Sequence, residues 1–168
     1  MRSTEYEIYV DLDGVMVDFA KLGLKLASFL PDDDPANKKL RSKFWNCIGD
    51  HCKDGNTFFE SMEPMPDAFV LWEYVKPYDP TILSATGTSL KNAAVEKRNW
   101  VATHIDEPTA SEAIFVENAK AKAAYAKPKA ILIDDRIKAI EPFIEAGGIG
   151  ILHISAEDTI RQLKELGL

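Results

Sequence analysis

The chain has 168 residues, 46% of them apolar and 28% charged, with a formal net charge of −7. That length suits one hydrophobic core within the single-domain range, and the acidic balance argues against a broad basic surface tracking a nucleic-acid backbone. No run approaches the roughly 18 apolar residues of a membrane span, and no basic start leads into an apolar run of secretory length, so a soluble, cytoplasmic protein without a membrane partner is expected.

The first element, Tyr6 to Val10, is an apolar and β-branched run suited to a buried strand, and it leads straight into Asp11-Leu12-Asp13-Gly14-Val15. About seventy residues then pass before the next strand-like run, far more than one crossover helix needs. Within them, Val17 to Leu30, Ala36 to Ile48 and Asp67 to Tyr74 read as helices, joined by the turn-rich runs Pro31 to Pro35 and Asp50 to Asn56. This insertion carries Phe44, Trp45, Phe58 and Phe59, whose simplest use is a core of its own. Cys47 and Cys52 flank His51; without a fourth ligand nearby they read as reduced thiols rather than a zinc site.

Beyond the insertion, strand and helix alternate. Strands are expected at Thr81 to Ala85, Ala113 to Glu117, Ala130 to Ile133 and Ile149 to Ile154. Helices are expected at Ser89 to His104, Ile137 to Ala146 and Ser155 to Leu166, with Gly147 and Gly148 stopping the second and Ser155 capping the third. Such alternation implies a layered α/β fold with parallel strands, and the gap after the first strand implies a small helical cap. The expected division is a core of residues 1–16 and 75–168 with a cap of 17–74.

The chemistry concentrates at strand ends. Asp11 and Asp13 stand at the carboxyl end of the first strand, where α/β sheets bind ligands, and Gly14 lets the backbone turn away there. Asp134 and Asp135 stand in the same place after the Ala130 strand. If those two strands are neighbours, several carboxylates converge on one crevice, a repulsive arrangement that a hard cation relieves; magnesium suits carboxylate oxygens and shares its coordination with phosphate. Ser84, ending another strand, offers a hydroxyl to a phosphate oxygen, with Thr86, Gly87 and Thr88 as further donors at a helix start.

A strand-end Asp-x-Asp-Gly, a strand-end Ser, a lysine and a strand-end acidic pair, in that order, resemble the motifs of the haloacid dehalogenase-like superfamily. The resemblance covers the chain outside the cap and implies a Rossmann-like doubly wound sheet with a small cap after the first motif. It further implies that Asp11 is the nucleophile, Asp13 the general acid/base, and Ser84 with Ala85 and Lys122 the phosphate-binding set. Magnesium would be held by Asp11, Asp134, Asp135 and the backbone carbonyl of Asp13. Lys122 is chosen for its spacing ahead of Asp134 in the family pattern, over Lys120 and Lys97. Asp at position 13 points to phosphoryl rather than carbon–halogen chemistry.

The short cap, the "LSAT" segment and "ILIDDR" look most like the 5'(3')-deoxyribonucleotidase branch. The expected activity is therefore a magnesium-dependent phosphomonoesterase acting on a small substrate such as a (deoxy)nucleoside monophosphate, with a cap aromatic stacking on the base. The alternatives are a phosphatase acting on nucleic-acid ends and a non-catalytic phosphate-binding module; the net charge weighs against the first and the four aspartates against the second. Lys38, Lys39, Arg41 and Lys43 form a modest basic run read as a solvated helix face. Nothing in the composition bears on oligomeric state.

Overall fold

The computed structural model of the protein describes residues 5–32 and 34–168, so residues 1–4 of the expected core and position 33 of the Pro31 to Pro35 turn lie outside the described residues. Five short strands form one sheet: β1 (Glu7–Val10), β2 (Thr81–Ala85), β3 (Ile114–Val116), β4 (Ala130–Asp134) and β5 (Ile149–Leu152). All pairs are parallel, in the order β3-β2-β1-β4-β5. The chain thus builds outward from β1 on one side, then crosses back to continue with β4 on the other. That reversal falls between β1 and β4, and the crevice at such a switch point is where open α/β sheets hold ligands. Every residue of β4 is buried, as its unbroken apolar run requires of a central parallel strand.

The helices are α1 (Phe19–Ala27), α2 (Lys38–Lys53), α3 (Ala68–Val75), α4 (Ala93–His104), α5 (Glu107–Glu112), α6 (Ile137–Glu145) and α7 (Ala156–Glu165). Among the described residues, no helix is long and apolar enough to cross a membrane. Local chemistry explains where they depart from expectation. Helix α1 starts late because Asp18 caps it, accepting the Lys21 amide at 3.0 Å, and it stops at Ser28 in the left-handed region. Helix α2 runs on through Asp50 to Lys53, expected as turn, because Ile48 and the half-buried Cys52 keep its inner face against the core. Helix α4 begins at Ala93 rather than Ser89, so Thr86, Gly87 and Thr88 lie in a loop and not at a helix start. Helix α5 was not expected; its signal was Asp106, which caps it, followed by Pro108 in the first turn.

The long insertion leaves and returns at one place. Val17 pairs with Pro64, the Asp18 amide donates to Glu63 O at 2.8 Å, and the Met65 amide donates to Met16 O at 2.9 Å. Between these points α1 and α2 pack on each other, whereas α3, after the return, packs against α7. The aromatics of the insertion join β1 residues Ile8 and Val10 in one continuous cluster. Phe44 is fully buried, with the rings of Phe19, Phe29, Trp45 and Phe58 around it at centroid distances of 5.1 to 6.5 Å. Phe44→Ala is therefore expected to cost about 3–5 kcal/mol in urea denaturation, a large-to-small change with rigid rings on every side. A cost below about 1 kcal/mol would mean that α1 and α2 collapse freely into the space.

Candidate functional site

Register brings the acidic strand ends together. Val10 pairs with Ile133, and the Asp11 amide donates to Ile133 O at 3.0 Å, so Asp11 and Asp134 leave neighbouring strands side by side. On the other flank Val10 pairs with Ile82, which sets Ser84 two residues further along at the same end of the sheet. After Asp11 the backbone folds sharply, with the amides of Val15, Met16 and Val17 all donating to Leu12 O. Gly14 has φ of +78°, and a β-carbon there would collide with the Asp135 carboxylate. Glycine is thus required twice, for the left-handed turn and for the close approach of Asp135.

Asp11, Asp134 and Asp135 each offer a carboxylate oxygen within 4.8 Å of the other two. Asp11 and Asp134 are buried, while Asp135 is open to an adjoining cavity. Crowding shows in their acidities. Burial and the charge of Asp11 push Asp134 up to about 6, against the pull of Lys122. Burial among protein atoms and the charges of Asp11, Asp134 and Asp13 push Asp135 up to about 7, although its exposure to the cavity lets water temper the effect.

Two lysines are buried here, each 2% exposed. Lys122 Nζ lies 2.8 Å from Asp11 Oδ1 and 2.5 Å from Asp134 Oδ2. Burial by itself would lower its pKa, but the two carboxylates outweigh that and raise it, so the ammonium stays charged. It is carried by a 3-10 helix, Ala119–Tyr125, whose first turn is capped by Asn118. Lys97, on α4, donates to Asp13 Oδ2 at 2.5 Å and to Ser84 Oγ at 3.0 Å. Because the ammonium uses a lone pair of Ser84 Oγ, the hydroxyl proton is left for another acceptor. Asp13 is half-buried, and burial raises its pKa despite Lys97.

The residues singled out from the sequence therefore gather at one end of the sheet, with Lys122 under Asp11 and Asp134, and Lys97 between Asp13 and Ser84. Lys120 does not join them; it is exposed on the rim of the cavity. That cavity, about 620 Å³, opens over Asp13, Gly14 and Asp135. Its walls include Ala85, Thr86 and Gly87 on one side and Phe19, Trp45 and Phe59 from the insertion on the other. Of the basic run on α2, Arg41 reaches the cavity wall, while Lys38, Lys39 and Lys43 are exposed. Sequence reasoning missed Glu96, whose buried carboxylate accepts the amides of Phe58 and Phe59 at 2.9 and 2.8 Å, and ranked Lys97 last of three lysines. Cys47 and Cys52 are unpaired.

No protein-family model and no curated protein matches this sequence. Solved structures do match it. A hydrolase from Streptococcus pneumoniae TIGR4 is 16% identical with a TM-score of 0.56, the match covering 96% of this chain and 100% of that one. A haloacid dehalogenase-like family hydrolase from Streptococcus pneumoniae is 14% identical with a TM-score of 0.59, over 93% and 90% of the two chains. A HAD-superfamily hydrolase from Ehrlichia chaffeensis is 13% identical with a TM-score of 0.51, over 99% and 100%. At these identities the likeness is one of architecture: the chain has the parallel, doubly wound α/β fold of the haloacid dehalogenase-like hydrolases.

Proposed function

We propose that the protein is a magnesium-dependent phosphomonoester hydrolase acting through an aspartyl-phosphate intermediate on a small substrate such as a (deoxy)nucleoside monophosphate. The observation that carries this reading is the convergence of Asp11, Asp134 and Asp135 within 4.8 Å beside a buried lysine, with Asp13 two residues beyond Asp11. Three carboxylates crowded until two of them resist ionisation fit a hard divalent cation. Asp11, Asp134, Asp135 and the carbonyl of Asp13 would hold magnesium, which when bound offsets the charge of the phosphate and of Asp11.

The chain's own residues supply the rest. Asp11 attacks phosphorus, forming the acyl phosphate as the bond to the leaving oxygen breaks, and Asp13 donates its proton to that oxygen. Burial raises the pKa of Asp13 despite Lys97, which moves it toward the range of a general acid. Asp13 then takes a proton from the water that attacks the acyl phosphate, releasing inorganic phosphate and restoring Asp11. Ser84 donates to a phosphate oxygen, Lys122 holds Asp11 in place and adds positive charge, and the Ala85 segment lines the cavity where the phosphate enters.

In this reading residues 17–74 form a cap over a core of 1–16 and 75–168, and its covering part is the α1–α2 pair with the Phe58–Phe59 turn. The cavity has the size of a drug-like ligand site, and Phe19, Trp45 and Phe59 give it a flat-ring wall suited to a nucleobase. Two unpaired cysteines accord with a cytoplasmic location.

The test is phosphate release from nucleoside monophosphates, sugar phosphates and 3'-phosphorylated oligonucleotides, with magnesium or with chelator. Magnesium-dependent release, highest on a nucleoside monophosphate, is the expected result. Preference for oligonucleotide ends would replace the substrate assignment, and no release from any of them by folded protein would favour a phosphate-binding module.

A further inference from the structure

Helix α4 joins the acid/base end of the site to one wall of the cavity. Glu96 is buried, and one oxygen of its carboxylate, Oε2, accepts two successive backbone amides, those of Phe58 and Phe59. The next residue, Lys97, reaches Asp13 and Ser84, and its ammonium also lies 4.5 Å from the centroid of the Phe59 ring. One turn on, the Trp100 indole donates to Met62 O at 2.8 Å, and Asn99 donates to Glu60 Oε2 at 3.0 Å. The 58–62 segment of the insertion is thus fastened to the core helix along its length.

A carboxylate taken out of water needs donors, and charge-assisted bonds to amides are about twice as strong as neutral ones. Two such bonds to adjacent peptides fix the planes on both sides of Phe58 and so the direction in which each ring leaves the chain. Phe58 points into the aromatic core and is fully buried, while Phe59 turns toward Lys97 and lines the cavity. Trp45 stands beside Phe59 on the same wall, with centroids 6.5 Å apart and planes inclined by 37°. This wall borders Asp13, the residue that would face the leaving group.

We propose that Glu96 is a positioning residue for leaving-group recognition. By holding the Phe58–Phe59 backbone it sets the Phe59 ring beside Lys97 and Asp13, so that the site favours phosphomonoesters whose leaving group presents a flat ring, aryl or nucleoside, over small alkyl esters. This rests on the hydrolase reading, but its first test needs no turnover.

Binding of phenylphosphonate and methylphosphonate, whose carbon–phosphorus bonds the proposed chemistry does not cleave, is measured by calorimetry on the full chain with magnesium. Native protein is expected to bind phenylphosphonate about tenfold more tightly, the scale of one ring stacking on another. Glu96→Ala and Phe59→Ala should each bring the ratio close to one, and the double variant should be no worse than either, because Glu96 acts through Phe59. Glu96→Gln, which keeps one oxygen for both amides, should restore the preference. A Glu96→Ala protein that does not fold is replaced by Glu96→Asp, whose shorter arm should also lower the ratio. An unchanged ratio in folded Glu96→Ala or Glu96→Asp, or an equal further loss in the Phe59→Ala background, overturns the proposal. If the phosphonate ratios behave as expected but no ester of the panel is hydrolysed, the positioning role stands and the hydrolase reading falls. If neither phosphonate binds while the panel is hydrolysed, the positioning role falls and the hydrolase reading stands.

Discussion

Asp11→Asn is expected to lower phosphate release by about 10⁴-fold or more while leaving the fold intact, because in the proposed mechanism it removes the nucleophile and keeps its shape. A structural role for Asp11 predicts something different. The variant removes one of three crowded carboxylates, and the charge of Asp11 is among the causes that raise the pKa of both Asp134 and Asp135. Lys122 keeps Asp134 as a partner at 2.5 Å. In chelator, therefore, the melting temperature should hold or rise, while the stabilisation that magnesium gives the native protein should shrink, since a ligand bound to the folded state stabilises according to its affinity. Turnover is measured on the best substrate of the panel and stability by thermal melts with and without magnesium. Turnover within tenfold of native would remove Asp11 from the chemistry. A fall of more than a few degrees in chelator would make it a structural acid.

Lys122→Met should damage both stability and turnover, and the two losses separate by their response to metal. The side chain is 2% exposed and sits between Asp11 and Asp134, so its removal leaves two buried carboxylates without their cation. Breaking a buried pair from one side costs about 3–5 kcal/mol. Urea denaturation in chelator should read that loss, and magnesium should recover part of it by replacing the missing positive charge. Turnover should remain down by about 10²- to 10³-fold even with saturating metal, because in the proposed mechanism the ammonium sits where charge develops on the nucleophile and phosphate. Lys120→Met, a change at an exposed rim position, should alter stability by less than about 0.5 kcal/mol. The reverse pattern, with Lys120 critical and Lys122 dispensable, would move the phosphate-neutralising role to the rim.

Much of the architecture could be read from local pattern. Each of the five strands is a short apolar run closed by turn or polar residues; four lie within the segments expected for them, and β4 runs one residue past its expected end, to Asp134. Element ends were less legible, as where α2 continues through Asp50 to Lys53, because helix extension there depends on a core that Ile48 and Cys52 meet only after folding. Strand order was also hidden. Thr81 and Ala130 lie far from Tyr9 in sequence, yet β2 and β4 both pair with β1, and no local feature states which strands become neighbours.

The candidate site divides along the same line. Acidic groups at two strand ends and a hydroxyl at a third are legible in the chain, because an apolar run followed at once by Asp or Ser carries that placement in its own order. Which charges share one volume follows only from the packing of distant segments. Lys97 and Asp13 meet across 84 positions of sequence, and Glu96 meets Phe58 across 38. Nothing local on α4 separates Glu96 and Lys97 from solvated surface, since a buried charge is distinguished from an exposed one only by the partners that surround it, and those partners arrive with the fold.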